Sequence, residues 1–248
     1  MVTCPVDDRL CSSIRNPFIH QRKKERRMVN IERLRISGYR NDQVPNSFFR
    51  QAGGSDHLAI VLPGLSYRCN QPLLWYPTRA LLSSGADVLW VEYAYDLQPD
   101  WVVADDQVQR DWLFDDVVAA TRSAMETKYE RVTLVGKSMG TIALGHVLRT
   151  EKIPDRRKAV WLTPVLDDPA LRRQLVESNL PSLIVIGSKD NYYDGSFLER
   201  LQSKKSFEVE VIKGADHILE TDEGTLASID IMRQVMNSFQ RFISEWDP

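Results

Sequence analysis

Near the middle of the chain, Gly136-Lys137-Ser138-Met139-Gly140 sets a serine between two glycines. A serine hydroxyl is a weak nucleophile at neutral pH and attacks a carbonyl only when a positioned base takes its proton. The spacing suits that chemistry. In a tight strand-to-helix reversal the central residue is held in a strained backbone conformation, and glycines two positions away remove side chains that would collide there. The following helix, expected from about 141 to 149, would aim its positive N-terminal end at a developing oxyanion.

The base should be a histidine, and there are four. His20 lies in a basic leader. His57 precedes an apolar run and so belongs at the far end of a strand, while His146 sits two turns along the helix after Ser138. His217, in Lys213-Gly214-Ala215-Asp216-His217, follows the last strand-like run and is the one in a useful place. A carboxylate must fix its tautomer and stabilise the imidazolium. Asp190, in the turn Gly187-Ser188-Lys189-Asp190, is the first choice; Asp194, Asp167 and Asp168 are alternatives, since a carboxylate after a strand often caps a helix instead.

These residues need a scaffold, and the hydrophobic pattern supplies one. The runs 58–62, 88–91, 132–135 and 183–186 are continuously apolar, as strands buried on both faces of a parallel sheet are. Weaker runs lie at 159–162 and 207–212, and alternation at 31–37 and 46–50 predicts half-exposed antiparallel strands. Leu113, Val117, Ala120 and Ala124, and later Ile229, Met232, Met236, Phe239 and Ile243, recur at helical spacing. Strands alternating with helices imply right-handed crossovers. The expectation is therefore a doubly wound, mostly parallel α/β sheet of about eight strands in one domain over residues 28–248. Ligands of such sheets bind beyond the carboxyl ends of the strands. Several aromatic residues fall in turns there, and Tyr67, Tyr93 and Tyr192 are the expected substrate contacts, although most aromatics in such turns serve packing.

Composition narrows the field further. In 248 residues the net charge is −2, which gives no footprint for nucleic acid, and no apolar run approaches the roughly 18 residues of a membrane span. Residues 1–27 hold seven basic and three acidic side chains, leaving the other 221 residues at about −6. That leader has no apolar core of a secretory signal. It reads as a basic, disordered extension, with RKKERR a weak candidate for a nuclear or anionic-surface address. Three cysteines without ligand spacing argue against disulfides or zinc and for a reducing, cytoplasmic compartment. No cofactor or metal is expected.

On the Gly136–Gly140 turn, the turns ending in Asp190 and His217, and the strand–helix order, the chain resembles the α/β-hydrolase superfamily over about residues 31–247. The resemblance is to its small lidless serine hydrolases, esterase- or dienelactone-hydrolase-like. It implies an oxyanion hole from the backbone N–H of Met139 and of a residue after the third strand, here Leu65 in Leu62-Pro63-Gly64-Leu65-Ser66-Tyr67. It also implies hydrolysis of a small ester or thioester through an acyl-enzyme, with a peptidase of the same fold or a non-catalytic binding protein as the alternatives. Residues 163–180 have room for one helix and none for a lid, which predicts an open site and short acyl groups.

Overall fold

A computed structural model describes residues 28–246; the basic leader, with Cys4, Cys11 and His20, lies outside the described residues. In chain order the elements are β1 (Val29–Glu32), β2 (Asn46–Gln51), β3 (His57–Leu62), α1 (Pro72–Ser84), β4 (Asp87–Val91), α2 (Pro99–Val102) and α3 (Asp106–Ala124). Then come β5 (Arg131–Lys137), α4 (Met139–Thr150), β6 (Arg156–Leu162), α5 (Pro169–Glu177), β7 (Ser182–Gly187), α6 (Gly195–Gln202), β8 (Phe207–Ile212) and α7 (Thr225–Ser244).

The eight strands form one sheet in the order β1-β2-β4-β3-β5-β6-β7-β8. β2 runs antiparallel to both β1 and β4, and the other pairs are parallel. Continuous apolarity follows from two covered faces. Leu58, Ile60 and Leu62 of β3 and Leu134 of β5 face the layer holding α3, α4, α5 and α6, whereas Ala59, Val61 and Val135 face α1 and α7. The chain leaves β3 toward β4 on one side and leaves β5 toward β6 on the other. The crevice between the carboxyl ends of β3 and β5 is thus the topological switch point, where a ligand has room between diverging loops.

One strand is shorter than its pattern predicts. Alternation suggests pairing over 31–37, but β1 ends at Glu32. The buried Asn46 side chain takes over the backbone of Leu34, accepting from its N–H at 2.9 Å and donating to its carbonyl at 2.9 Å. A side chain that satisfies both groups leaves no ladder to extend. Ser37 keeps one isolated bridge to Gln43.

His57 is structural. It is buried at the amino end of β3, with Nε2 and the Thr133 hydroxyl 2.9 Å apart. Burial, with help from Arg131, holds its pKa down at about 4 against an ordinary 6.5. The native state therefore resists protonating this ring while the unfolded chain does not. Its contribution is complete above pH 6.5 and is lost as pH falls from there toward 4. Urea unfolding across that window should show stability falling by about 3 kcal/mol on account of this group, and His57→Gln should flatten that part of the profile. An equally steep fall in the variant would assign the effect elsewhere.

Candidate active site

The strand-to-helix turn after β5 is tighter than the sequence implies, because α4 begins at Met139 rather than near 141. Ser138 sits at φ 53°, ψ −121°, in the left-handed half of the map that a side chain enters only under constraint. Three bonds hold it: its N–H donates to Leu162 carbonyl at 3.0 Å, and its carbonyl accepts from the Thr141 N–H at 2.8 Å and hydroxyl at 2.6 Å. The glycines explain themselves by distance. A Cβ on Gly136 would lie 2.6 Å from the Gly140 carbonyl oxygen, and one on Gly140 would lie 2.1 Å from that of Leu62.

Beyond β8 the loop returns His217 to this turn. Its Nε2 lies 2.8 Å from Ser138 Oγ, and its Nδ1 lies 2.8 Å from Asp190 Oδ2. Asp190 is buried, and its other oxygen accepts from the Tyr192 N–H at 2.9 Å, so the carboxylate is aimed with little freedom. The histidine loop is itself braced by Asp216, whose Oδ1 accepts from the N–H groups of Ile218 and Glu220 at 2.9 and 3.0 Å. Contact between the two loops depends on Gly187, where a Cβ would stand 2.1 Å from the Ala215 carbonyl oxygen.

The alternative acids are occupied elsewhere. Asp168 caps α5 through the Leu171 N–H and pairs with Arg110. Asp194 caps α6 through the Phe197 N–H and pairs with Arg172, which together hold its carboxyl well below the usual carboxylate range. Asp167 gains no bond to the imidazole, which is taken by Asp190. His146 stacks on Phe114, ring centroids 3.8 Å apart, away from this turn.

At the opposite wall lies the loop after β3. Its backbone is set by Gly64 N–H donating to Tyr67 carbonyl at 3.1 Å and Arg68 donating to Leu65 carbonyl at 2.6 Å. Among the described residues, neither the Leu65 nor the Met139 N–H donates to a protein carbonyl. The expected substrate contacts divide three ways. Tyr67 lines the cleft, although its hydroxyl is engaged in accepting from the Leu73 N–H. Tyr192 packs its ring edge-on against the His217 imidazole at 5.3 Å. Tyr93 does not reach the cleft: it is fully buried, stacks on Tyr95, and donates to the Pro63 carbonyl at 2.7 Å. A polar tip on an otherwise apolar ring let that residue serve the core while pinning the loop from beneath. Tyr93→Phe would leave Pro63 without this donor, and a loss of about 1 kcal/mol in urea unfolding is expected.

The cleft above Ser138 has a volume of about 650 Å³. One side is unexpected. Of the helical stripe, Phe239 and Ile243 are buried, Met232 and Met236 are half-buried against the core while also lining the cleft, and Ile229 at the amino-terminal end is 57% exposed. There the first turns of α7, with Ile218, Leu219, Pro72 and Tyr76, make an apolar wall. The connection from β6 to β7 holds only α5 and places no lid over the mouth. Lys137, which the sequence reading gave no role, is 2% exposed and part of the same cleft wall. Among the described residues, no group of three His, Cys, Asp or Glu side chains is arranged to hold a metal ion, and no helix is long and apolar enough to cross a membrane.

No protein-family model matches the sequence, and no curated protein does. Solved structures do resemble it. The esterase Pf2001 of Pyrococcus furiosus is 16% identical, with 88% of this chain and 93% of that chain covered at a TM-score of 0.62. Est1E of Butyrivibrio proteoclasticus is 13% identical, covering 88% and 99% at 0.60. An alpha-beta serine hydrolase homologue from Coxiella burnetii is 15% identical, covering 86% and 96% at 0.60. Likeness at that level of identity establishes the architecture.

Proposed function

We propose that this chain, which has the α/β-hydrolase fold, is a serine hydrolase that cleaves an ester or thioester through an acyl-enzyme on Ser138. The observation that carries this reading is the continuous chain Ser138–His217–Asp190, with both links at 2.8 Å. In the proposed first step, His217 Nε2 takes the Ser138 proton as Oγ bonds to the carbonyl carbon, and Asp190 stabilises the imidazolium. The carbonyl oxygen becomes an anion between the Met139 and Leu65 N–H groups, at the amino end of α4. Collapse breaks the bond to the leaving group, which departs with the proton from His217. Water then repeats the sequence and releases the acid.

A fluorophosphonate probe tests this directly. Covalent mass addition at Ser138, absent in Ser138→Ala and in His217→Ala, is the expected result. Equal labelling of all three proteins would refute it.

The cleft supports a preference about acyl length. Lack of a lid alone favours short groups, but about 650 Å³ walled by α1 and α7 exceeds what an acetyl or propionyl group fills. Across p-nitrophenyl esters from acetate to dodecanoate, kcat/KM should rise to a maximum near hexanoate or octanoate. Each buried methylene contributes about 0.8 kcal/mol at most. Met232→Trp, which fills the wall, should move the optimum toward acetate. A wild-type maximum at acetate would assign the wall no part in binding.

A further inference from the structure

Lys137 and Ser138 are consecutive, and both engage His217, from opposite ends. Ser138 Oγ meets the imidazole at Nε2, 2.8 Å away, while Lys137 Nζ donates to the His217 main-chain carbonyl at 3.2 Å. We propose that Lys137 is a positioning residue for the hydrolytic reaction, its ammonium clamping the loop that carries His217. The inference rests on the reading of His217 as the general base.

The cost of placing a cation there argues for a role. Lys137 is 2% exposed, and a buried ammonium loses hydration that only partners can replace. Its described partners are modest ones: the His217 carbonyl and the face of Tyr67, whose ring centroid is 4.8 Å from Nζ. An aliphatic side chain would fill the same space, and its methylenes already pack close to Gly64, where a Cβ would lie 3.4 Å from Cδ. The feature an aliphatic residue would lose is the grip on the histidine loop. That loop needs one, since Leu219 within it holds a left-handed φ of 60°.

Charge strengthens the clamp. The ionisable groups facing Lys137 are Asp190 after β7, Asp216 and His217 after β8, and Tyr67 after β3, with Glu220 and Arg233 farther along the cleft. Asp190 and Asp216 favour the ammonium, while burial outweighs them and brings its pKa down to about 8. It is thus mainly protonated at neutral pH. The bond to the His217 carbonyl is therefore charge-assisted at neutral pH, which makes it stronger than one from a neutral donor.

The test uses the full chain with Lys137→Met, which removes donor and charge, and Lys137→Gln, which keeps an N–H donor without charge. Hydrolysis of p-nitrophenyl octanoate is followed with kcat and KM resolved, and urea unfolding is measured in parallel. For Lys137→Met, kcat should fall about tenfold with KM within about twofold, because the loss is one of alignment rather than binding. Lys137→Gln should recover part of kcat. An unchanged kcat in Lys137→Met overturns the proposal, as does a loss confined to KM. Failure of wild-type protein to react with the fluorophosphonate at Ser138 would instead sink the hydrolase reading on which the proposal rests. If Lys137→Met does not fold, Lys137→Gln carries the kcat comparison alone, and wild-type kcat in it overturns the proposal.

Discussion

Ser138→Ala and His217→Ala should each lower kcat/KM for a p-nitrophenyl ester by about 10⁴-fold or more, and the double variant should lose scarcely more than either single one. The reason is that the two side chains act as one device. Without His217 the hydroxyl has no acceptor for its proton, and without Ser138 the imidazole has nothing to activate. Asp190→Asn should fall nearly as far at neutral pH, since an amide facing Nδ1 can favour the wrong tautomer. Stability should change little in Ser138→Ala, whose side chain makes one described bond, to His217. Initial rates with thermal unfolding in parallel separate the two effects. Additive losses in the double variant would mean that the 2.8 Å contact between Ser138 and His217 carries no catalytic coupling.

Two glycines of the same helix should respond with opposite signs. Gly140→Ala would put a methyl 2.1 Å from the Leu62 carbonyl oxygen and 2.6 Å from that of Pro63, both main-chain atoms. Neither can move without separating α4 from the end of β3. A loss of about 3 kcal/mol or more is expected in urea unfolding, with activity falling further because the Leu65 loop follows Pro63. Gly145, one turn on, would bring a methyl no closer than 3.4 Å, and that to the mobile end of Arg149. Gly145→Ala should therefore stabilise by about 0.5–1 kcal/mol, the usual gain on replacing glycine within a helix. Similar responses at both positions would show that helix propensity, rather than the approach of α4 to the loop, governs Gly140.

The pair also marks where sequence reasoning succeeds. Gly140 was legible because the glycine spacing around Ser138 states a local steric demand, and the observed approach to Leu62 is that demand made visible. His217 was legible by elimination, since three other histidines fell at positions the strand order sends elsewhere. Choosing among Asp190, Asp194, Asp167 and Asp168 was beyond the sequence. All four follow strands, and capping and orienting a base both ask for a carboxylate in a turn. Only the loop contact at Gly187 and Ala215 brings His217 to Asp190 while Asp168 and Asp194 stay on their helices.

The misreadings share one cause. Tyr93 belongs to a turn at the carboxyl edge, where substrate contacts are expected, yet its side chain points down into the core. Ile229 keeps the period of a buried stripe, yet it is exposed on the cleft wall, where Met232 and Met236 are shared between core and cleft. A strand cut short by Asn46 is of the same kind. Periodicity and turn chemistry report what the chain does over a few residues, because sterics and hydrophobic faces repeat at that range. By itself, then, the sequence determined the layered α/β sheet, the strained turn at Ser138 and the return of His217 to the carboxyl edge. Which aspartate faces His217, which way each aromatic points and which residues of α7 line the cleft were decided by contacts between segments far apart in the chain, and those exist only once both sheet faces are covered.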